Sequence, residues 1–490
     1  MRKKKNSSRI KYSKSLSFEE SNSLLHCLLK LLFFKVLRHI NLEQVNGIPD
    51  FPGGEHGVNC CQNHSGDSND SSFLSSAFGN ALEFFDFGVY NFFVVYISTL
   101  FFPPSADHNV ALLLAFATFG VSFFMRPLGG IIVGAWADRF GRKPAMVFTI
   151  ALMSLGTLMI GIAPTYETAG YWGTATLVLA RLIQGVAAGG EVGASMSLLV
   201  ESAPANRRGF YSSWSLATQG LATTFGGVVA LGLSAWLPFA TGSETVMAEW
   251  GWRVPFFIGV LLAPIGCWLR LSLENDVPEP VRNKKAATSE SAFSLLLQHK
   301  ATIVNGVLLA IGSTVATYIS LFYYGTWAAK YLAMPQHYSH AAMLLAGVIT
   351  FVGALLVGML CDSVGRKKLI LISRVMVLLC SWPSFWLLVN YPSPGMLLTV
   401  VFVMVSFTTL GGVPVMLLIS ELLPKRIRAL GFALVYSIGV AIFGGFAQYF
   451  ATQSIVLLDS LTAPAWYLGG GTLLSMLALL YVKEPAKELQ

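Results

Sequence analysis

Long apolar segments separated by short polar loops fill most of the chain from Phe73 onward. Each segment has about 20 residues or more, which as a helix is enough to cross the ~30 Å hydrocarbon core of a bilayer. Inside lipid the backbone must satisfy its own hydrogen bonds, so runs of this length predict helices. We expect twelve spans, near residues 78–101, 110–135, 145–164, 172–200, 210–238, 253–273, 301–330, 340–361, 369–390, 395–420, 429–457 and 464–482.

The loops between these segments alternate in their content of lysine and arginine. The odd-numbered loops contain neither residue, whereas the even-numbered loops carry clusters such as Arg139, Arg142 and Lys143. Short loops rich in Lys and Arg stay on the cytoplasmic side of the membrane. The pattern therefore predicts a multi-pass plasma-membrane protein with both termini in the cytoplasm.

The composition excludes several classes of protein. Apolar residues make up 54% of the chain and charged residues 12%, too little charge to cover a soluble protein of this size. The net charge of +8 comes from clusters in loops, which suit a membrane surface and not nucleic acid. Motifs of hydrolases and nucleotide-binding loops are missing from the sequence. We therefore expect no enzyme and no cofactor, and a transporter would draw its energy from an ion gradient.

The motif GxxxDxxGRK occurs twice, at residues 134–143 and 358–367. A duplication of this kind predicts two related halves of six helices each, with the substrate near the bilayer midplane between them. The expected fold is an all-α membrane protein of twelve transmembrane helices in two pseudo-symmetric bundles. The predicted divisions are a cytoplasmic, largely disordered extension at 1–72, bundles at 73–273 and 301–482, a cytoplasmic linker at 274–300 and a cytoplasmic tail at 483–490.

The duplicated motif has the residue types of a latch at the cytoplasmic ends of helices. Its glycines allow close helix contact and a tight turn, and its aspartate and arginine can pair across neighbouring helix ends. The alternative is a basic loop that only fixes membrane orientation. Under the latch hypothesis the gate residues are Gly134, Asp138, Gly141, Arg142, Asp362, Gly365 and Arg366.

Ionisable side chains also lie well inside the predicted spans, all in the N-terminal bundle: Glu83, Asp86, Arg126, Arg181 and Glu191. Each costs about 2.5–3.5 kcal/mol to place in lipid, so such groups usually face a cavity and mark function. Helical rise places Arg126 at the level of the two acids of span 1 and Arg181 on the far side of the midplane.

Glu83 and Asp86 are three residues apart and share one helix face. Two acids this close cannot both ionise cheaply in a cavity of low dielectric constant, which favours proton uptake by one of them. The pair therefore predicts proton coupling. The alternative is a structural ion pair that locks the first, second and fourth spans together.

Several motifs resemble the major facilitator superfamily and, within it, the metabolite:proton symporter branch. The two GxxxDxxGRK loops match the superfamily signature and its echo, and the likeness covers about 78–485. The remaining motifs are Gly79–Phe87 in span 1, Arg126–Gly130 in span 2, Arg181–Gly185 and Gly189–Glu191 in span 4, and Trp250–Phe256 entering span 6. The resemblance implies the major facilitator fold and a bacterial inner-membrane importer of small organic acids or zwitterions, driven by protons. It also implies that Arg181 takes part in proton transfer, so the candidate coupling residues are Glu83, Asp86, Arg181 and Glu191.

Substrates of that branch include proline, glycine betaine, 2-oxoglutarate and citrate. An arginine such as Arg126 or Arg181 can hold a substrate carboxylate with two parallel hydrogen bonds. An aromatic wall suits a quaternary ammonium group, although each of its members could equally be a packing residue. The candidate substrate-binding residues are Arg126, Tyr90, Tyr323, Tyr324 and Trp327.

The leading hypothesis is therefore proton symport of a small zwitterion or carboxylate by a monomer in the lipid bilayer. One alternative is an exporter of drugs or metabolites, and another is a membrane sensor that transports nothing. The expected partners are the solute and the proton, with no nucleic acid. Four residues of metal-ligating type, His56, Cys60, Cys61 and His64, have poor ligand spacing, and we expect no metal site.

Overall fold

The computed structural model describes residues 65–103, 108–140, 142–189, 203–204, 207–242, 245–272, 292–424 and 427–482. Within these ranges the regular elements are all helical. Residues 1–64, which make up most of the predicted extension, lie outside the described residues. Below, the described helices before residue 273 are the N-terminal half and those after residue 291 are the C-terminal half.

The helices of the N-terminal half are α1 Ser65–Phe92, α2 Val94–Phe101, α3 His108–Phe124, α4 Arg126–Phe140, α5 Arg142–Ile162, α6 Tyr166–Ala169, α7 Tyr171–Gly189, α8 Arg208–Thr241, α9 Val246–Glu249 and α10 Val254–Ser272. Those of the C-terminal half are α11 Ala292–Gln298, α12 Lys300–Tyr318, α13 Tyr324–Tyr331, α14 Gln336–Val364, α15 Arg366–Asn390, α16 Pro394–Leu422, α17 Arg428–Ile438, α18 Ala447–Leu458 and α19 Pro464–Tyr481.

A helix lies at each of the twelve positions where the apolar pattern predicts a span. Among the described residues, nine helices are long and apolar enough to cross a membrane, or ten if a bent pair counts as one span. That pair is Gly79–Phe92 with Val94–Phe101, bent by 63° at Phe93. The helices α7 and α19 lie at the fourth and twelfth predicted spans and fall outside this count. The total of twelve crossings stays a prediction.

The described surface is apolar and the described interior holds charge, the reverse of a soluble protein. Phe239 is 87% exposed, whereas Arg181 is fully buried. Lipid solvates apolar side chains and not guanidinium groups, so this distribution fits a protein with lipid around its helices.

Helices α8 and α14 join the two halves along most of their lengths. A Cβ atom on Gly209 would lie 2.5 Å from the Gly358 carbonyl oxygen, and one on Gly347 would lie 2.5 Å from the Thr224 nitrogen. Both positions therefore require glycine. Small residues let helix backbones approach closely in lipid, where packing and not water exclusion drives association.

Two short π-helical segments interrupt the C-terminal half. Ile319–Tyr323 separates α12 from α13, and Gly439–Gly444 follows α17. Each shifts the side chains that follow it around the helix axis relative to an unbroken α-helix. Such segments are rare and occur frequently at functional sites.

Candidate functional site

Glu83 and Arg126 form a buried ion pair between α1 and α4. The Arg126 Nη2 atom lies 3.2 Å from Glu83 Oε1, and the two residues are 2% and 5% exposed. The guanidinium carbon also lies over the rings of Phe87 and Phe123, at 4.8 and 4.3 Å from their centroids. Nε and Nη1 have no hydrogen-bond partner in the described part of the chain. Two of the three guanidinium nitrogen atoms of Arg126 can therefore donate hydrogen bonds to a second acceptor.

Arg181 heads a polar network that runs through the N-terminal half. Nη1 donates to Gln184 Oε1 at 2.6 Å and Nη2 donates to Ser122 Oγ at 3.1 Å. Gln184 in turn donates to Thr157 on α5 at 2.9 Å. The guanidinium lies over Tyr90 at 4.6 Å, with Phe119 close by. Neutral groups and ring faces therefore hold this cation.

Asp86 lies one turn along α1 from Glu83, on the side of α5 and α10. Thr157 is its hydrogen-bonding neighbour and Arg181 is near enough to attract it. A Cβ on Gly259 of α10 would lie 2.6 Å from Asp86 Oδ1, so α10 packs closely against this carboxylate.

A small cavity of about 30 Å³ borders both acids, with Thr149 and Ser154 in its wall. A space of this size is large enough for a water molecule. Glu83 and Asp86 therefore border one water-sized space inside the N-terminal half, and the rest of its wall is mostly apolar.

The four candidate aromatic residues do not form one wall. Tyr90 lies against α3, where its hydroxyl donates to the Ala115 carbonyl at 2.8 Å. Tyr323 lies 6.1 Å from Phe116 of α3 between ring centroids, so it also faces the boundary between the halves. In contrast, Tyr324 and Trp327 pack on Phe385 of α15, inside the C-terminal half.

The C-terminal copy of the duplicated motif contacts the other half. The backbone N–H groups of Gly209 and Phe210 donate to Asp362 Oδ1 and Oδ2 at 2.7 and 3.2 Å. The carboxylate thus lies at the N-terminus of α8, which favours negative charge. Arg366 forms an ion pair with Glu421 at 3.0 Å and is also near enough to attract Asp362. Gly365 has φ of 101°, as the tight turn requires.

The N-terminal copy of the motif cannot be compared in the same way. Gly141 and Glu191 lie outside the described residues. At Gly134, Asp138 and Arg142 only the helical backbone is described. The roles expected for these five residues stay predictions.

Sequence reasoning missed two buried ionisable residues in the C-terminal half. Arg374 of α15 is fully buried, and His340 of α14 contacts the Phe92 carbonyl oxygen through Nε2 at 3.1 Å. The structure therefore adds these two residues to the five ionisable residues that the sequence placed well inside the predicted spans. Arg374 falls near the start of the predicted span 369–390, and His340 is the first residue of the predicted span 340–361, so neither position indicated a place well inside the membrane.

His340 lies at the opposite end of the α8–α14 contact from Asp362. Its Nδ1 is 3.4 Å from the hydroxyl of Ser234 on α8, and its ring centroid is 5.5 Å from that of Phe93. Phe93 is the residue at which α1 and α2 bend. One side chain of the C-terminal half thus contacts α8 and this bend together.

Comparison with known proteins adds a family likeness to this geometry. The sequence model of the Major Facilitator Superfamily matches residues 76–448. The citrate-proton symporter of Klebsiella pneumoniae is 31% identical over 404 residues, covering 82% of this chain and 89% of that protein. The alpha-ketoglutarate permease of Escherichia coli is 32% identical, covering 84% and 92%.

A third relative and the solved structures point the same way. The proline/betaine transporter of Escherichia coli is 30% identical, covering 85% of this chain and 83% of that protein. The crystal structure of a D-xylose-proton symporter superposes with a TM-score of 0.68 and 20% identity, covering 86% of this chain and 99% of that one. At that identity the structural match supports the fold alone.

Proposed function

Because this chain belongs to the major facilitator superfamily, we propose that it imports a small carboxylate-bearing solute together with protons. The protein is a multi-pass membrane protein of a transporter family and not an enzyme. We place both termini in the cytoplasm and take the monomer as the working unit. The observation that carries the proposal is the buried Glu83–Arg126 pair. Two nitrogen atoms of its guanidinium have no hydrogen-bond acceptor among the described residues.

Proton uptake and substrate binding can be coupled through this ion pair. A proton on Glu83 removes its negative charge and weakens its attraction for Arg126. The freed guanidinium then binds a substrate carboxylate, which its planar fork suits. When Glu83 loses the proton, its carboxylate again competes with the substrate carboxylate for Arg126, and the substrate is released. The same pair would thus bind the solute only when the proton is present.

Asp86 and Arg181 supply the second part of the proposed coupling. Asp86 borders the same cavity as Glu83 and feels the charge of Arg181, so a proton can move between the two acids through one water-sized space. Arg181 is held by Gln184 and Ser122 and stays in place while the proton moves. Its role is to fix the charge balance beside Asp86.

Alternating access requires the two halves to separate at one membrane face at a time. Asp362 holds α14 to the start of α8, and His340 holds α14 to the far part of α8 and to the bend of α1. With the termini in the cytoplasm, Asp362 is the inner contact and His340 the outer contact. We propose that each cycle breaks these contacts in turn.

The test is uptake by the purified protein in liposomes. Labelled citrate, 2-oxoglutarate, proline and glycine betaine are offered under an inward proton gradient, with and without a protonophore. We expect at least one solute to accumulate, and only while the gradient lasts. Accumulation that persists after the gradient collapses would overturn the proposal.

Two variants locate the coupling. Glu83→Gln and Asp86→Asn should each abolish proton-driven accumulation, since neither can release a proton. Asp86→Asn should still exchange labelled for unlabelled solute, because Arg126 remains. Lys368→Gln, at an exposed position, serves as the control. Full accumulation in both acid variants would leave the alternative of a structural ion pair.

A further inference from the structure

Gln448 of α18 is buried without a partner for its amide. The residue is 1% exposed, and neither Nε2 nor Oε1 has a hydrogen-bond partner within the described chain. An unpaired buried polar group costs about 1–3 kcal/mol, and buried amides in native proteins are nearly always satisfied. The Gln448 amide has two N–H donors and one carbonyl acceptor, and a bound ligand can form the hydrogen bonds that the protein does not supply.

The helix face that carries Gln448 looks onto α12 and the π-helical segment Ile319–Tyr323. Thr452 lies one turn after Gln448 on the same face of α18, and Gly444 is the last residue of the π-helical segment that precedes this helix. A Cβ on Gly444 would lie 3.1 Å from the Tyr318 ring, and the Thr452 hydroxyl is 3.1 Å from the Tyr323 hydroxyl. Gln448 therefore lies between two contacts to this region, with its own polar atoms unused.

Both π-helical segments of the C-terminal half border this position. Gly439–Gly444 ends four residues before Gln448, and Ile319–Tyr323 ends at the tyrosine that bonds Thr452. Such segments are rare and occur frequently at functional sites. The presence of two of them beside Gln448 therefore favours a binding site at this position over ordinary helix packing.

One layer of aromatic rings separates this face from the two arginines. The Tyr318 ring lies 6.1 Å from Phe119 and 5.6 Å from Phe123. Those two phenylalanines lie under Arg181 and Arg126, at 5.1 and 4.3 Å. Gln448 thus lies across the boundary between the halves from the proposed carboxylate site.

We propose that Gln448 binds the second polar end of the substrate, and that the substrate is a di- or tricarboxylate. This inference rests on the proposed function. One carboxylate binds Arg126 in the N-terminal half, and a second carboxylate or its neighbouring oxygen accepts from Gln448 Nε2 in the C-terminal half. The solute therefore bridges the two halves.

The same geometry argues against a betaine as the preferred solute. A quaternary ammonium group neither donates nor accepts a conventional hydrogen bond, so it would leave the Gln448 amide unpaired. Sites built to bond a polar group reject analogues that lack it far more strongly than they reject a missing methylene. Gln448 is thus a specificity-determining residue that separates dicarboxylates from betaines.

The experiment compares Gln448→Leu with Gln453→Leu, a half-buried glutamine on the same helix. Counterflow exchange of 2-oxoglutarate, citrate and glycine betaine is measured in liposomes, which needs no proton gradient. Loss of a hydrogen bond to a charged group should raise the KM for the dicarboxylates about 10-fold or more. Vmax and any exchange of betaine should change little, and Gln453→Leu should behave as the unaltered protein does.

A general packing defect would lower Vmax for every solute. A rise in the KM for dicarboxylates alone would therefore show a loss of binding and not a loss of structure. If Gln448→Leu does not fold, Gln448→Asn gives the same comparison with the amide withdrawn by one methylene. An unaltered protein that exchanges betaine and no dicarboxylate overturns the inference, as does an unchanged KM in both variants. Dicarboxylate exchange without any dependence of accumulation on protons would instead overturn the proposed coupling alone.

Discussion

The two halves of the molecule place different chemistry at their shared boundary. The N-terminal half brings charges together, in the Glu83–Arg126 pair and in Asp86 near Arg181. The C-terminal half presents hydroxyl and amide groups beside π-helical segments, and its buried Arg374 forms no ion pair with a described residue. A duplicated fold can thus divide its work, with proton and charge handled on one side and solute shape on the other.

The largest effect is expected from breaking the charged pair. Arg126→Gln or Glu83→Gln alone leaves one buried charge uncompensated, which costs about 3–5 kcal/mol of stability. Thermal unfolding in detergent should therefore fall clearly for each single variant and recover in the double variant, because removing both charges removes the uncompensated one. Uptake should fall more than about 100-fold in all three, because Arg126→Gln and the double variant lose the carboxylate site and Glu83→Gln cannot release a proton.

The control for this set is Lys368→Gln, which removes one exposed charge and should change neither measurement. Single variants that unfold at the temperature of the unaltered protein would show that the ion pair is not buried as described. Uptake restored in the double variant would remove Arg126 from substrate binding.

Much of the fold follows from the sequence because hydropathy over 20 residues is a local property. Arg126 could be placed at the level of Glu83 and Asp86 because helical rise fixes depth in the membrane, but the sequence did not decide which acid it pairs with. The partner of Asp362 could not be predicted, since it is the backbone at the start of α8, which has no side-chain signature.

Other features left weaker traces in the sequence. The π-helical segments do not change the apolar length of a helix, and Gln448 carries no charge, so neither departs from the pattern of an ordinary span. The four aromatic candidates were grouped by residue type alone. Local register then turned Tyr324 and Trp327 toward α15 and left Tyr323 at the boundary between the halves.

A smaller effect is expected on the hydroxyl side of the boundary. Tyr323→Phe removes the hydrogen bond to Thr452 while keeping the ring against Phe116. If Tyr323 binds substrate as the sequence predicts, its hydroxyl also donates to the solute. A neutral hydrogen bond contributes about 0.5–1.5 kcal/mol net, so the KM for the transported solute should rise about 2- to 10-fold. Tyr324→Phe, which loses its bond to Ser384 inside the C-terminal half, is the matched control and should leave the KM unchanged. Equal effects in both variants would mean that the hydroxyls act through packing alone.

The smallest effect, and the sharpest test of the division between halves, is expected at Arg374. Its Nη1 donates to the Gly312 carbonyl at 3.3 Å, and Nε and Nη2 have no partner among the described residues. A buried guanidinium without a counter-charge is costly, and replacing a buried charge by an apolar side chain of similar length is often neutral or stabilising. Arg374→Met should therefore unfold at the same temperature or a higher one, whereas Arg126→Met should unfold at a lower one. Proton-driven uptake should stay within about threefold of the unaltered protein, a change under 1 kcal/mol. If Arg374→Met is fully stable but loses more than about tenfold of its uptake, Arg374 takes part in transport. The two halves would then both use a buried charge and would differ only in how that charge is compensated.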